Sequence, residues 1–191
     1  LVTPYPDVRR GALPAPRRLG LDCLAILLEL SLGLSAWKSY GGTRWPLRCN
    51  PSSGNLHPTE GYLVCPRLPG LTAGVYHYLS RDHMLEQRAI VDDPRWTEAF
   101  SSNGILFGIS SIYWREAWKY GMRAWRYCTP VCGHAIAAVS YAPAALRWQS
   151  LLARSAAEPL VAALIGPDPA HALAFAPLGN PTPPLPCAFP D

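Results

Sequence analysis

The chain has 191 residues, 49% of them hydrophobic and 16% charged, which fits one domain with its own core and excludes wholesale disorder. The formal net charge is +4, and no run of five or six basic residues marks a nucleic-acid binder. No apolar stretch reaches the ~18–20 residues of a spanning helix, so no membrane segment is read.

Residues 1–20 hold several prolines with Arg9-Arg10 and Arg17-Arg18, and read as a Pro/Arg-rich extended arm. Leu21, Leu24, Ala25, Leu28 and Leu32 then fall on one helical face, with Gly33 as a stop signal. Lys38 to Gly42 reads as a flexible stretch. Strands are expected at Gly61–Cys65, Val75–Leu79 and Met84–Ile90. The first two are neighbours across a loop containing Pro69-Gly70. Asp93 and Pro94 suit the start of a short helix to Phe100. Ile105 to Tyr113 reads as a buried strand. A helical region runs from about Arg115 to Arg147, broken near Pro130 and loosened at Pro143. Leu160–Ile165 reads as a last strand. The whole is α+β, with residues 21–176 as the domain and 177–191 as a proline-rich tail or linker. Leu1 in place of Met suggests a processed product or a piece of something longer.

The six cysteines are scattered, which reads as reduced, cytoplasmic thiols. Cys128 and Cys132 share a helical face, and with His134 they lack the spacing of a zinc knuckle. No metal is assigned. His134 is expected to satisfy a buried carbonyl, and His77, between Tyr76 and Tyr78 on a strand, to be structural. Arginine outnumbers lysine, which favours planar anion contacts; a coding bias toward arginine explains the same fact.

The strongest site candidate is Pro51-Ser52-Ser53-Gly54-Asn55. Hydroxyls, an amide and a glycine converge before an apolar strand, with Arg44 and Arg48 upstream. Small residues let backbone N–H groups approach a ligand, and the set suits a phosphate or similar anion. An ordinary loop capped by its own Ser and Asn side chains has the same composition.

The stretch Arg48 to Tyr62, RCNPSSGNLHPTEGY, resembles the signature of the nitroreductase family. It is most similar to the branch of SagB-type dehydrogenases and azoline oxidases. Gly74-Val75-Tyr76-His77-Tyr78 resembles the strand that follows in that branch. Trp118-Lys119-Tyr120-Gly121, with Arg123, Ala124, Arg126, Tyr127, Gly133 and His134, resembles its central helix motif. The resemblance covers about residues 20–166.

The resemblance implies a nitroreductase-like fold, with a central mixed or antiparallel sheet flanked by helices in an intertwined dimer or pseudodimer. It implies FMN held between two copies, or by one copy and a second family domain. Pro51, Ser52, Ser53, Gly54 and Asn55 would then contact the flavin, joined by Arg48 and His57. Lys119 and Tyr120 match the pair that assists proton removal. An FMN-dependent dehydrogenation of a small or peptide-borne substrate is implied. NAD(P)H-dependent nitro or quinone reduction, and a scaffold without flavin, are the alternatives. Two features depart from the family. Arg9-Arg10-Gly11 lacks the serine of the usual Arg-Arg-Ser phosphate motif, and nothing after Arg154 is Lys or Arg. Some members of the branch fuse two family domains, and the chain looks like the first half of such a member, ending in the linker.

Chemistry gives Lys119 a separate rationale. A neutral amine can serve as a base if burial or a nearby cation disfavours its charged form. Trp114, Trp118, Tyr120 and Trp125 are expected to line such a site. A surface lysine with its stem over tryptophan is the plainer alternative.

Overall fold

The computed structural model describes residues 15–91 and 104–153, and the backbone alone of 172–179. The expected helix at 94–100 and strand at 160–165 lie outside the described residues, as does Arg9-Arg10-Gly11.

Helix α1 (Leu21–Ser31) buries Cys23, Leu24, Leu27, Leu28 and Ser31. This is the apolar stripe that the sequence suggested, turned slightly, because Leu21 at the first position is 40% exposed. Gly33 ends the helix as expected. Its N–H donates to the Leu28 carbonyl at 2.8 Å, and a Cβ there would meet the Glu29 carbonyl oxygen at 2.6 Å. Only glycine fits that closure.

Strands β1 (Leu34–Tyr40) and β2 (Thr43–Arg48) form a separate antiparallel hairpin. The stretch expected to be flexible is therefore the end of a strand and a turn. Gly41 and Gly42, at φ +55° and +79°, supply the two-residue turn whose backbone suits hairpin twist.

Strands β3 (Thr59–Cys65), β4 (Gly74–Leu79), β5 (Met84–Ile90), β6 (Gly104–Ser111), β7 (Gln149–Ser150) and β8 (Ala172–Gly179) form one sheet. Its order is β5-β4-β3-β6-β8-β7, and every pairing is antiparallel. β8 continues to Gly179, so the first residues of the proline-rich tail pair with β6 rather than leaving the sheet.

Alternation along β3 and β6 puts Leu63, Cys65, Ile105, Phe107 and Ile109 into one core with α1 and with Tyr76 and Tyr78 of β4. Gly61 lies on that face. A Cβ there would collide with Leu32 Cδ1 and would meet Phe107 at 3.1 Å, so this glycine serves core packing.

The helical region breaks at Gly121, not at Pro130. Helix α2 (Tyr113–Tyr120) ends at Gly121, whose φ is +54°, and α3 (Ala124–Tyr141) runs through Pro130. A positive φ stops a helix outright, whereas Pro130 removes only the bond to the Arg126 carbonyl. Pro143 falls in a 3-10 turn after α3, over Ala142–Leu146. Helix α3 buries Cys128, Val131, Cys132, Ala135 and Val139. His134 is exposed and satisfies no buried carbonyl, because it lies on the far side of the helix from that stripe. Among the described residues, no helix is long and apolar enough to cross a membrane, and no three His, Cys, Asp or Glu side chains gather as metal ligands.

Candidate functional site

The signature loop links the end of β2 to the start of β3 and is held in an unusual backbone. Gly54, Asn55 and His57 have φ of +62°, +60° and +49°, in the left-handed region that non-glycine residues enter at a cost. Local bonds offset that cost. The His57 N–H donates to Ser52 Oγ at 2.9 Å, and Asn55 Nδ2 donates to the Pro46 carbonyl at 2.9 Å. His57 Nε2 lies 3.4 Å from the same carbonyl. Burial and the charge of Arg48 lower the pKa of His57, which keeps its ring neutral near pH 7.

Arg115 ties this loop to α2. Its Nη1 donates to the His57 carbonyl at 2.7 Å and to Glu60 Oε1 at 2.6 Å. Glu60 also lies 3.0 Å from His77 Nε2. Burial pushes the Glu60 carboxyl up. The His77 bond, the Arg48 charge and the Arg115 contacts outweigh that and hold it below its ordinary value. His77 is thus structural, as expected, bridging Glu60 and Glu86. The sequence reading missed Arg115. Its partners lie 58 and 55 positions away along the chain, so no local signal marked it.

Arg44 and Arg48 do not act together. Arg44 stacks over Trp37 at 4.4 Å in the hairpin. The Arg48 side chain turns inward, and its Nη1 donates to the Thr59 carbonyl at 2.6 Å. Burial lowers the Arg48 pKa most, against the pull of Glu60. Four residues of extended strand set the two positions roughly 13 Å apart, so sequence proximity did not place these two guanidinium groups side by side.

The two motifs meet at Gly54. A Cβ on Gly54 would lie 2.7 Å from Tyr120 Oη and 2.9 Å from Lys119 Nζ. The last residues of α2 therefore sit directly against the signature loop. Lys119 Nζ also lies 5.6 Å from the centre of the Tyr120 ring, and that ring packs on Tyr127 at 4.1 Å. The aromatic enclosure expected around Lys119 is not formed within the described residues. Lys119 is exposed, and Trp114, Trp118 and Trp125 are 65%, 79% and 62% exposed.

One further pattern marks this region. Among the described residues, the buried side-chain polar atoms without a partner are Arg48 Nε, Asn50 Oδ1, His57 Nδ1, Thr59 Oγ1, Ser111 Oγ and both Glu116 carboxylate oxygens. All belong to residues 48–59 and 111–116, the loop and the β6–α2 junction beside it. Buried polar groups are ordinarily satisfied. Donors and acceptors left open in one neighbourhood suit a polar ligand or ordered water.

No family profile matches the sequence. The chain is 37% identical over 75 residues to the trifolitoxin-processing protein TfxB of Rhizobium leguminosarum bv. trifolii, a match over 38% of this chain and 20% of that protein. Three solved structures share the fold. A candidate nitroreductase from Anabaena variabilis superposes with a TM-score of 0.71 at 29% identity, covering 82% of this chain and 34% of that one. A chain of the E. coli microcin synthetase McbBCD complex with truncated pro-MccB17 bound gives 0.69 at 18% identity, covering 96% and 75%. A candidate nitroreductase from Ralstonia eutropha gives 0.65 at 16% identity, covering 95% and 84%. The chain thus spans about a third of the Anabaena protein and a fifth of TfxB.

Proposed function

We propose that this chain, which has the nitroreductase-like fold, is the FMN-binding part of an oxidoreductase that dehydrogenates a small or peptide-borne substrate. The contact of Gly54 with Lys119 and Tyr120 carries this reading. It joins a ligand-cradling loop to a base and a hydroxyl. The open polar atoms around the loop fit a flavin nucleotide, which offers many acceptors and donors. Pro51, Ser52, Ser53, Gly54 and Asn55 would hold it, with Arg48 and His57 behind the loop. The relatives TfxB and McbBCD, by their names a processing protein and a synthetase with a bound pro-peptide, support a peptide-borne substrate.

Such a dehydrogenation takes a hydride and a proton from neighbouring atoms and leaves a double bond between them. Bound FMN would supply the hydride acceptor. Lys119 would take the proton, and the Tyr120 hydroxyl beside it would orient the reacting group. The remainder of the flavin enclosure comes from a second copy or a second domain, consistent with the fraction of the Anabaena protein that this chain spans.

The test is an absorption spectrum of the purified chain with and without FMN. A flavin band that survives desalting is expected. Ser52→Ala frees the His57 N–H and should weaken that band, whereas Lys119→Ala should keep the band and lose turnover. A colourless chain that ignores added FMN sinks the proposal and favours a scaffold role. A second reading, nitro or quinone reduction, is favoured by the two candidate nitroreductases among the structural relatives. Rapid bleaching by NADPH alone would select it; bleaching only by an azoline-containing peptide selects dehydrogenation.

A further inference from the structure

Strand β1 leaves one edge free. Ser35 to Tyr40 are all exposed, and among the described residues β1 pairs with β2 alone. The turn decides which backbone groups are open. A two-residue turn makes Tyr40 and Thr43 a hydrogen-bonded pair, and bonded and non-bonded pairs alternate along an antiparallel ladder. Lys38 with Trp45 is therefore the next bonded pair, while Ser39 opposite Arg44 and Trp37 opposite Pro46 are non-bonded. Pro46 agrees with this register, because a non-bonded position needs no N–H from its residue. Trp37 and Ser39 thus turn their N–H and C=O groups away from β2.

The other open edges are covered or blunted. On β2, the outward Pro46 carbonyl accepts from Asn55 Nδ2, with His57 Nε2 at 3.4 Å, so the signature loop lies along that side. On β5, the outer strand of the large sheet, the register slips past Arg88, and Arg88 pairs with Glu86 at 3.5 Å. A bulge and paired charges are how natural edges resist an added strand. β1 shifts only at Ser35. From Ala36 to Tyr40 it is regular, without proline or acid.

Charge limits what can be added there. Residues 34–59, the hairpin and the signature loop, contain Lys38, Arg44 and Arg48 and no acidic residue. Arg44 stacks over Trp37 on one face of the hairpin. Alternation puts Lys38 on the other face, with Tyr40. An acidic strand would meet a cation on each face. A second β1 laid antiparallel would instead bring Lys38 beside Lys38, and like charges across strands are destabilising.

We propose that the free edge of β1 docks an extended, acidic segment of the peptide substrate as a third strand of the hairpin. This rests on the peptide-borne substrate of the proposed function. Neighbouring strands lie about 4.8 Å apart, so β1 and β2 both stand between the added strand and the signature loop. The docked segment is therefore not the reacting one. It tethers the peptide while another part of it reaches Gly54 and Lys119.

The probe is a fluorescein-labelled peptide of five Glu-Thr repeats, with five Lys-Thr repeats as its counterpart, and binding is read by fluorescence anisotropy. The Glu-Thr peptide should bind and the Lys-Thr peptide should not. Ser39→Pro removes an outward N–H at a position where, as at Pro46, the ladder needs none. It should lose roughly tenfold in affinity, the scale of one or two hydrogen bonds. Lys38→Glu with Arg44→Glu should reverse the preference between the two peptides, which a misfolded chain would not do. In the wild-type chain, amide hydrogen exchange at Trp37 and Ser39 should slow when the Glu-Thr peptide is added. Equal binding of both peptides, no binding of either, or unchanged exchange at those two amides overturns the proposal. So does a mass by light scattering that falls from two chains to one on Ser39→Pro, since a second β1 would then occupy the edge. None of these measurements needs FMN. A chain that binds FMN but not the acidic peptide overturns the docking alone; one that binds the peptide but ignores FMN overturns the proposed function and leaves the docking edge standing.

Discussion

Gly54 concentrates the demands of the site on one residue. Its φ of +62° is in the left-handed region, and its missing side chain leaves space that Tyr120 Oη and Lys119 Nζ occupy. Gly54→Ala meets both constraints at once. The backbone cost is about 1–2 kcal/mol, and the methyl must displace two flexible side-chain ends. We expect a modest loss of thermal stability, a few degrees, with a disproportionate loss of turnover because the amine and hydroxyl move. Differential scanning calorimetry and turnover on one preparation check this. A variant that keeps full turnover would show that the Lys119–Tyr120 position against the loop is irrelevant to chemistry. Gly61, in the same sequence signature, is the instructive contrast. Its missing side chain accommodates Leu32 and Phe107 in the core, and nothing in the sequence distinguishes the two glycines.

Between elements, Glu60 joins β3 to β4 through His77 and to α2 through Arg115. Its depressed carboxyl has a definite pH consequence. A carboxylate with a lowered folded pKa contributes stability above its ordinary value of 4.5, and that stability drains away as pH falls through the folded value. Arg115→Met should therefore lower stability at pH 7 by roughly 2–3 kcal/mol, the scale of a hydrogen bond to a charged group. It should also flatten the loss of stability below pH 4.5. Urea denaturation at both pH values checks it; equal losses at pH 7 and well below pH 4.5 would mean that Arg115 acts by packing alone. This network also shows where legibility stopped. Although β5 is almost wholly exposed, strands β3, β4 and β6 were readable as short, mostly buried apolar runs and helix α1 by its helical period. The β1–β2 hairpin was not: most of its side chains are exposed, so no alternation marked it, and Pro46 argued against a strand. Its Gly41-Gly42 turn was the available signal. The loop and the Lys119–Tyr120 pair were legible as motifs. The role of Arg115, bonded to a residue 58 positions away, depended on tertiary placement that no local pattern encodes.

Across the whole molecule, large apolar side chains are left uncovered on one run of helix. Trp114, Trp118, Met122 and Trp125 are 62–95% exposed, and Tyr141 at the far end of α3 is 78% exposed. Between Trp125 and Tyr141 the exposed face carries Thr129 and Gly133, small residues at helical spacing over which another helix can approach closely. Exposed aromatic surface of this kind marks an interface. It runs on from Lys119 and Tyr120, so whatever covers it also closes over the site. We expect a second copy to do so when the chain is expressed alone, burying an area typical of stable interfaces, about 1,200–2,000 Å² in total. Light scattering at micromolar concentration should give twice the chain mass, and Trp125→Asp with Trp118→Asp should return it to one. FMN affinity should fall in the same double variant, although neither tryptophan belongs to the signature loop, if the partner completes the enclosure as proposed. A chain that is monomeric at that concentration yet holds FMN at full affinity would show that one copy builds the whole flavin site.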